Sequence, residues 1–217
     1  MKKSILFLEG KDDCIVISNL CEHRKVKENF KSIDCGSKEE AVMQFAVAIN
    51  EQATTYKTVG IVIDADTDNS ATWQQIKTKI EETGKYDQIP KDLPENGLIL
   101  EANQNIYPRL GVWIMPNNKT DGMLEDFVVL LADNEDILMK ETELVLHSLE
   151  DRKINKYKLV HRAKAKIHTY LAWQDKPGRP MGQAIAAHIL NPNAKDADLF
   201  MKWIEELFGV NENTQSQ

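Results

Sequence analysis

Five carboxylates in the first third of the chain fall where chemistry could be done. Glu9 and Asp13 close the stretch Ile5-Leu-Phe-Leu-Glu9-Gly10-Lys11-Asp12-Asp13, and Asp64, Asp66 and Asp68 close Ile61-Val-Ile-Asp64-Ala65-Asp66-Thr67-Asp68. Each acidic group follows a short apolar run, and such a run bounded by Gly or Asp reads as a buried strand. The carboxylates therefore sit where each strand leaves its sheet, the rim at which open α/β sheets hold ligands. Carboxylates crowded there repel one another unless a hard cation lies among them, and an all-oxygen set suits Mg²⁺ or Mn²⁺. Such cations clamp the oxygens of a phosphodiester transition state and lower the pKa of an attacking water. Asp12 reads instead as a first-turn helix acid favoured by the dipole.

The order and spacing resemble the Toprim domain. That is the metal-binding module of topoisomerases, DnaG-type primases, ribosomal-RNA maturases and the OLD-family (overcoming-lysogenization-defect) nucleases. Its signature is a strand ending in Glu-Gly-x-x-Asp and a later strand ending in Asp-x-Asp, matched here by Glu9-Gly10-Lys11-Asp12-Asp13 and Asp64-Ala65-Asp66. OLD-like members add a Leu-Glu on a following helix, which Leu124-Glu125-Asp126 fits. The chain is also similar to small stand-alone Toprim proteins of unknown function, which share the Pro116-Asn117-Asn118 and Gly122-Met-Leu-Glu125-Asp126 pattern. The resemblance covers roughly residues 4–133. It implies that Glu9 is the general acid/base or a metal ligand. Asp13, Asp64, Asp66 and Glu125 would complete one or two Mg²⁺ (or Mn²⁺) positions, with Asp68 and Asp126 behind them.

Bulk properties narrow the class. A net charge of −7 argues against a protein that wraps nucleic acid in a basic surface. It leaves room for a nuclease, because a bound divalent ion inverts the sign locally. The three cysteines form no CxxC pair, so neither a zinc site nor a disulfide scaffold is expected. Met-Lys-Lys-Ser before only four apolar residues is too short for a signal peptide, and no run approaches the ~18 residues of a membrane span. A cytoplasmic protein is expected.

The elements that must position the rim alternate. Strands are expected at 4–8, 30–34, 58–63, 97–100 and 109–115, the last two as a hairpin. Helices fall between and after them, the second announced by the Ser37-Lys-Glu-Glu40 capping box. Such alternation means an α/β, mainly parallel, Rossmann-like sheet covered by helices, with right-handed crossovers. Gly10 is expected to allow a tight turn and close approach of a ligand to the backbone. Residues 1–133 read as this Toprim-like domain, 134–209 as a helical extension packed on it, and 210–217 as a disordered tail. Trp73, Ile76 and Ile80 line the third helix. Cys14, Ile15, Ile17, Ser18 and Cys21 are expected to line the first, and Ala41, Phe45, Val47, Ala48 and Ile49 the second.

Further candidates lie later in the chain. A basic run spans Lys153 to His168, with His161, Lys164 and His168 on one helical face. OLD nucleases carry a catalytic lysine after the Leu-Glu helix, so the resemblance assigns that part to Lys164 or Lys166; a solvated helix face is the plain alternative. Gly10, Asn118 and His161 are candidate substrate contacts. Trp173 and Trp203 sit at core spacing with Tyr170, Ile204 and Phe208. No Walker A, GxGxxG, GxSxG or HExxH pattern occurs. Two functions follow: a metal-dependent phosphodiester-cleaving enzyme acting on DNA or RNA, or a non-catalytic metal-binding module serving as a regulatory subunit. OLD nucleases carry an ATPase domain ahead of Toprim, so an ATPase is a candidate partner. A homo-oligomer is compatible with either function, and a membrane with neither.

Overall fold

The computed structural model describes residues 3–52, 55–133 and 135–209. The expected tail at 210–217 lies outside them. Strands β1 (Lys3–Leu8), β2 (Lys31–Asp34), β3 (Tyr56–Asp64), β4 (Leu98–Leu100) and β5 (Arg109–Met115) form one sheet in the order β2-β1-β3-β5-β4. All pairings are parallel except β4 with β5, the expected hairpin. The fold is α/β and Rossmann-like, as read from the alternation.

Helices α1 (Lys11–Arg24), α2 (Lys38–Asn50) and α3 (Asn69–Glu81) carry the crossovers, and α4 (Leu124–Val129) follows β5. The central strands are apolar on both sides because both faces are covered. On one face Ile5, Val59, Ile61, Val112 and Ile114 pack on Phe45 and Ile49 of α2 and on Trp73, Ile76 and Ile80 of α3. On the other, Leu6, Leu8, Val62 and Trp113 join one continuous core with α1, α4 and the later helices.

Those later helices are α5 (Ile137–Asp151), α6 (Arg162–Ala172), α7 (Met181–Ala186) and α8 (Asp198–Phe208), with short 3₁₀ turns at Leu159–His161 and Lys195–Ala197. Residues after 134 thus share the core of the sheet itself. Two glycines make this possible. Gly60 and Gly111 are register partners on β3 and β5, and α8 lays Leu207 directly over them. A Cβ at Gly111 would run into the Leu207 side chain, which is 1% exposed and has no room to withdraw. Gly111→Ala is therefore expected to cost about 1–3 kcal/mol through overpacking, read as a lowered midpoint in urea or thermal melts.

Three expectations about faces change. Val16 and Leu20 are buried on α1, whereas Ile15 and Ser18 are half-buried, Ile15 lying against Gly182 of α7. On α2 Val42 is buried and Val47 is 58% exposed. Trp203 is buried and donates its Nε1–H to the Leu98 carbonyl, whereas Trp173 is 42% exposed. Trp173 caps α6, past the last turn that still faces the core.

Candidate metal site at the sheet rim

The carboxylates gather because β1, β3 and β5 all end on the same side of the sheet. Glu9 follows β1 and accepts the Asp64 N–H on Oε1 at 2.7 Å, which ties the two acidic turns together. Asp13 lies in the first turn of α1 and accepts the Gly10 N–H at 3.2 Å. Asp64 ends β3 and accepts the Leu124 N–H at 2.8 Å, so it caps the helix that carries Glu125. Asp66 and Gly122 exchange two backbone hydrogen bonds of 2.8 Å, pinning the turn after β3 to the loop before α4. Gly122 has φ +136, and a Cβ there would meet the Asp126 carboxylate, so this junction requires glycine.

Burial sets the electrostatics. Asp13 is 7% and Glu125 5% exposed. Desolvation, then repulsion from Glu9, pushes the Asp13 carboxyl up to about 7. The same two causes, with Asp13 and Glu125 adding to the repulsion, push Asp64 up to about 9. Glu9 is also raised, chiefly by burial, against the lowering pull of the Asp64 amide and Lys38. Glu9, Asp13, Asp64 and Glu125 thus repel one another across one small volume.

Two lysines relieve part of this charge. Lys164 of α6 pairs with Glu125 at 2.9 Å, which raises the lysine further above its ordinary value. Lys38, the first residue of α2, donates to Asp66 Oδ2 at 2.8 Å and to Thr72 Oγ1 at 3.0 Å. Lys166 points to a different partner, Glu143 at 2.8 Å, in a network with Arg162. Of the two lysines considered from sequence, Lys164 is the one that meets the acidic cluster. Lys38 was missed because Ser37-Lys-Glu-Glu40 reads only as a capping box. The available signal was topological: the N-terminus of a crossover helix lies on the same rim as the strand ends.

The remaining candidates are placed as follows. Asp68 caps α3 by accepting the Ala71 N–H at 2.8 Å, and Asp126 accepts the Met123 N–H at 2.9 Å at the start of α4. Asn118 is buried, and both ends of its amide are engaged, with the Ile114 N–H at 2.7 Å and the Glu95 carbonyl at 3.1 Å. Its side chain holds the loop, which corrects the expectation of a substrate contact. His161 is exposed at the start of α6, beside the open Lys164. Gly10 has φ −151, an extended backbone that any residue adopts, so the expected need for a tight glycine turn is not met. A Cβ there would lie 3.6 Å from Asp13 Oδ2, ordinary contact, so glycine is dispensable for packing too.

A groove of about 750 Å³ opens beside the rim between Asp66, Gly122 and Asp126 on one wall and Leu159, Arg162 and Lys166 on the other. Among the described residues no three His, Cys, Asp or Glu side chains stand as a ready coordination set. The reason is visible in the partners above: each carboxylate is turned onto a backbone amide or a lysine. The donors nevertheless fit a hard divalent ion. They are all oxygens, and buried Asp13 and half-buried Asp64 hold charge there only at a cost that a cation would relieve. Glu9, Asp13, Asp64 and Glu125 could hold it, with Asp66 at the edge.

No helix among the described residues is long and apolar enough to cross a membrane. No curated protein and no solved structure matches the chain. A family model does, over residues 3–209, and by that match the chain belongs to DUF3226, a family of proteins of unknown function.

Proposed function

We propose that the protein is a Toprim-like, Mg²⁺- or Mn²⁺-dependent phosphodiesterase that cleaves nucleic acid. The observation that carries this reading is the mutual repulsion of Glu9, Asp13, Asp64 and Glu125, brought from three strand ends onto one rim. A fold gains no stability from burying carboxylates against each other, so such a cluster speaks for a cationic ligand. When bound, the ion supplies Lewis-acid stabilisation of phosphate oxygens and activation of water. The chain's own groups do the rest. Glu9, its proton affinity raised by burial, accepts or returns a proton at Oε2. Lys164, half-exposed on its stem, exchanges Glu125 for a non-bridging phosphate oxygen.

The test is incubation of the full chain with single- and double-stranded DNA and RNA in Mn²⁺, products being read on denaturing gels. Wild type is expected to cleave at least one substrate. Asp64→Asn and Glu9→Gln are expected to lose about 100-fold or more of that rate. Cleavage unchanged in Asp64→Asn would assign the activity to another protein and sink the reading.

One observation favours the second reading, a non-catalytic metal-binding module working with a partner such as an ATPase. The cations beside the groove, Arg162 and Lys166, are already neutralised by Glu143 and Glu150, leaving little positive surface for a phosphate backbone. Metal binding without cleavage of any of the four substrates selects this second reading.

A further inference from the structure

We infer that Lys38 fills the place of a second cation, so that the rim takes one divalent ion and not two. The inference rests on the metal-site reading above and adds the role of a residue outside the acidic motifs.

Lys38 is built into the rim. Its side chain is 16% exposed, unlike Lys164 at 53%. Its ammonium donates to Asp66 and to Thr72, and the Thr72 hydroxyl donates in turn to the Ala65 carbonyl at 3.3 Å. Lys38 and Thr72 thus straddle the turn Asp64-Ala65-Asp66 and fix a positive charge over its outer carboxylate. That charge also acts on Glu9, which lies within range of both Lys38 and Asp66. A second ion on this side would need the Asp66 carboxylate, and the ammonium already occupies its Oδ2 while acting on Glu9 only through space.

Charge alone does not separate the two counts. Fully ionised, Glu9, Asp13, Asp64, Asp66 and Glu125 bring five negative charges, and Lys38 and Lys164 return two, so one divalent ion leaves a single negative charge and two leave a single positive one. Geometry decides: a second ion held by Asp66 must displace the Lys38 ammonium from both of its hydrogen bonds.

The experiment is calorimetric titration of the full-length chain with Mn²⁺ alone, with folding of each variant checked by circular dichroism. Wild type is expected to bind one Mn²⁺, Lys38→Met two, and Lys38→Arg one. The spin-coupled spectrum of a Mn²⁺ pair should appear in Lys38→Met only. Two ions in wild type, or one in Lys38→Met, overturns the inference and leaves the metal site standing. No Mn²⁺ bound by any of the three removes the metal reading, and the inference with it.

Discussion

Asp64→Asn should raise the melting temperature of the metal-free protein at pH 8 by about 3 °C or more, while abolishing any rise on adding Mg²⁺. The sign follows from linkage. A carboxyl whose folded-state value lies above its unfolded value costs stability once pH passes the unfolded value, and the cost grows until pH reaches the folded one. For Asp64 that window runs from the ordinary value of 3.8 to about 9, so at pH 8 most of the penalty is present. Asn keeps the shape, can still accept the Leu124 N–H and needs no proton taken up on folding, so the penalty is removed. For a chain of this size about 1 kcal/mol moves the midpoint by roughly 2–4 °C. Wild type should respond the other way to the ion: at a free concentration 100 times Kd the gain is about 2.7 kcal/mol. Differential scanning fluorimetry with EDTA or with Mg²⁺ reads all four states. A metal-free Asp64→Asn that melts below wild type would show that the rim carboxylates support the fold and do not strain it.

That opposition between local stability and a crowded rim explains which parts of the molecule were legible in sequence. The strands were, because a central parallel strand is apolar on both faces and ends abruptly: Arg109–Met115 is bounded by the expected residues. So was the gathering of Glu9, Asp13, Asp64 and Glu125, since each directly follows a strand or opens the next helix. What one helix buries was less legible when two elements compete for it. The α1 face is set jointly by the sheet and by α7, and the chain between them spans about 150 residues. Period alone gives one stripe per helix, so Val16 and Leu20 were passed over.

Side-chain partners were the least legible. Asn118 and Lys38 are both polar residues near the rim, and sequence assigns outward roles to polar residues in loops and first turns. Asn118 is instead consumed by backbone groups of β5 and the preceding loop, a buried amide satisfying its hydrogen bonds. Lys38 turns inward because Asp66, in the left-handed region at φ +55, presents its carboxylate across to α2. The Asn118 bond to Ile114 is local, but its bond to Glu95 and the Lys38 bond to Asp66 join segments far apart in sequence, which only the fold makes neighbours.

The second large effect is the pH dependence of metal binding. Ligand carboxylates must lose their protons before they coordinate, so binding competes with protonation. Asp64, raised to about 9, still holds a proton in the metal-free protein through the neutral range, and Asp13, raised to about 7, joins it below neutrality. Between pH 7 and 8.5 one proton must leave per ion, so affinity for Mg²⁺ should rise about tenfold per pH unit; below pH 7 the rise should steepen as a second proton is displaced. The direction is fixed by the folded-state values lying above the ordinary carboxylate range, since unperturbed aspartates are ionised throughout this window and would give a flat profile. Calorimetry in two buffers of different ionisation enthalpy measures the released proton directly. A profile flat from pH 6 to 8.5, with no proton released, would mean that Asp13 and Asp64 are not displaced from their protons by the ion, and that the carboxylate cluster is not where it binds.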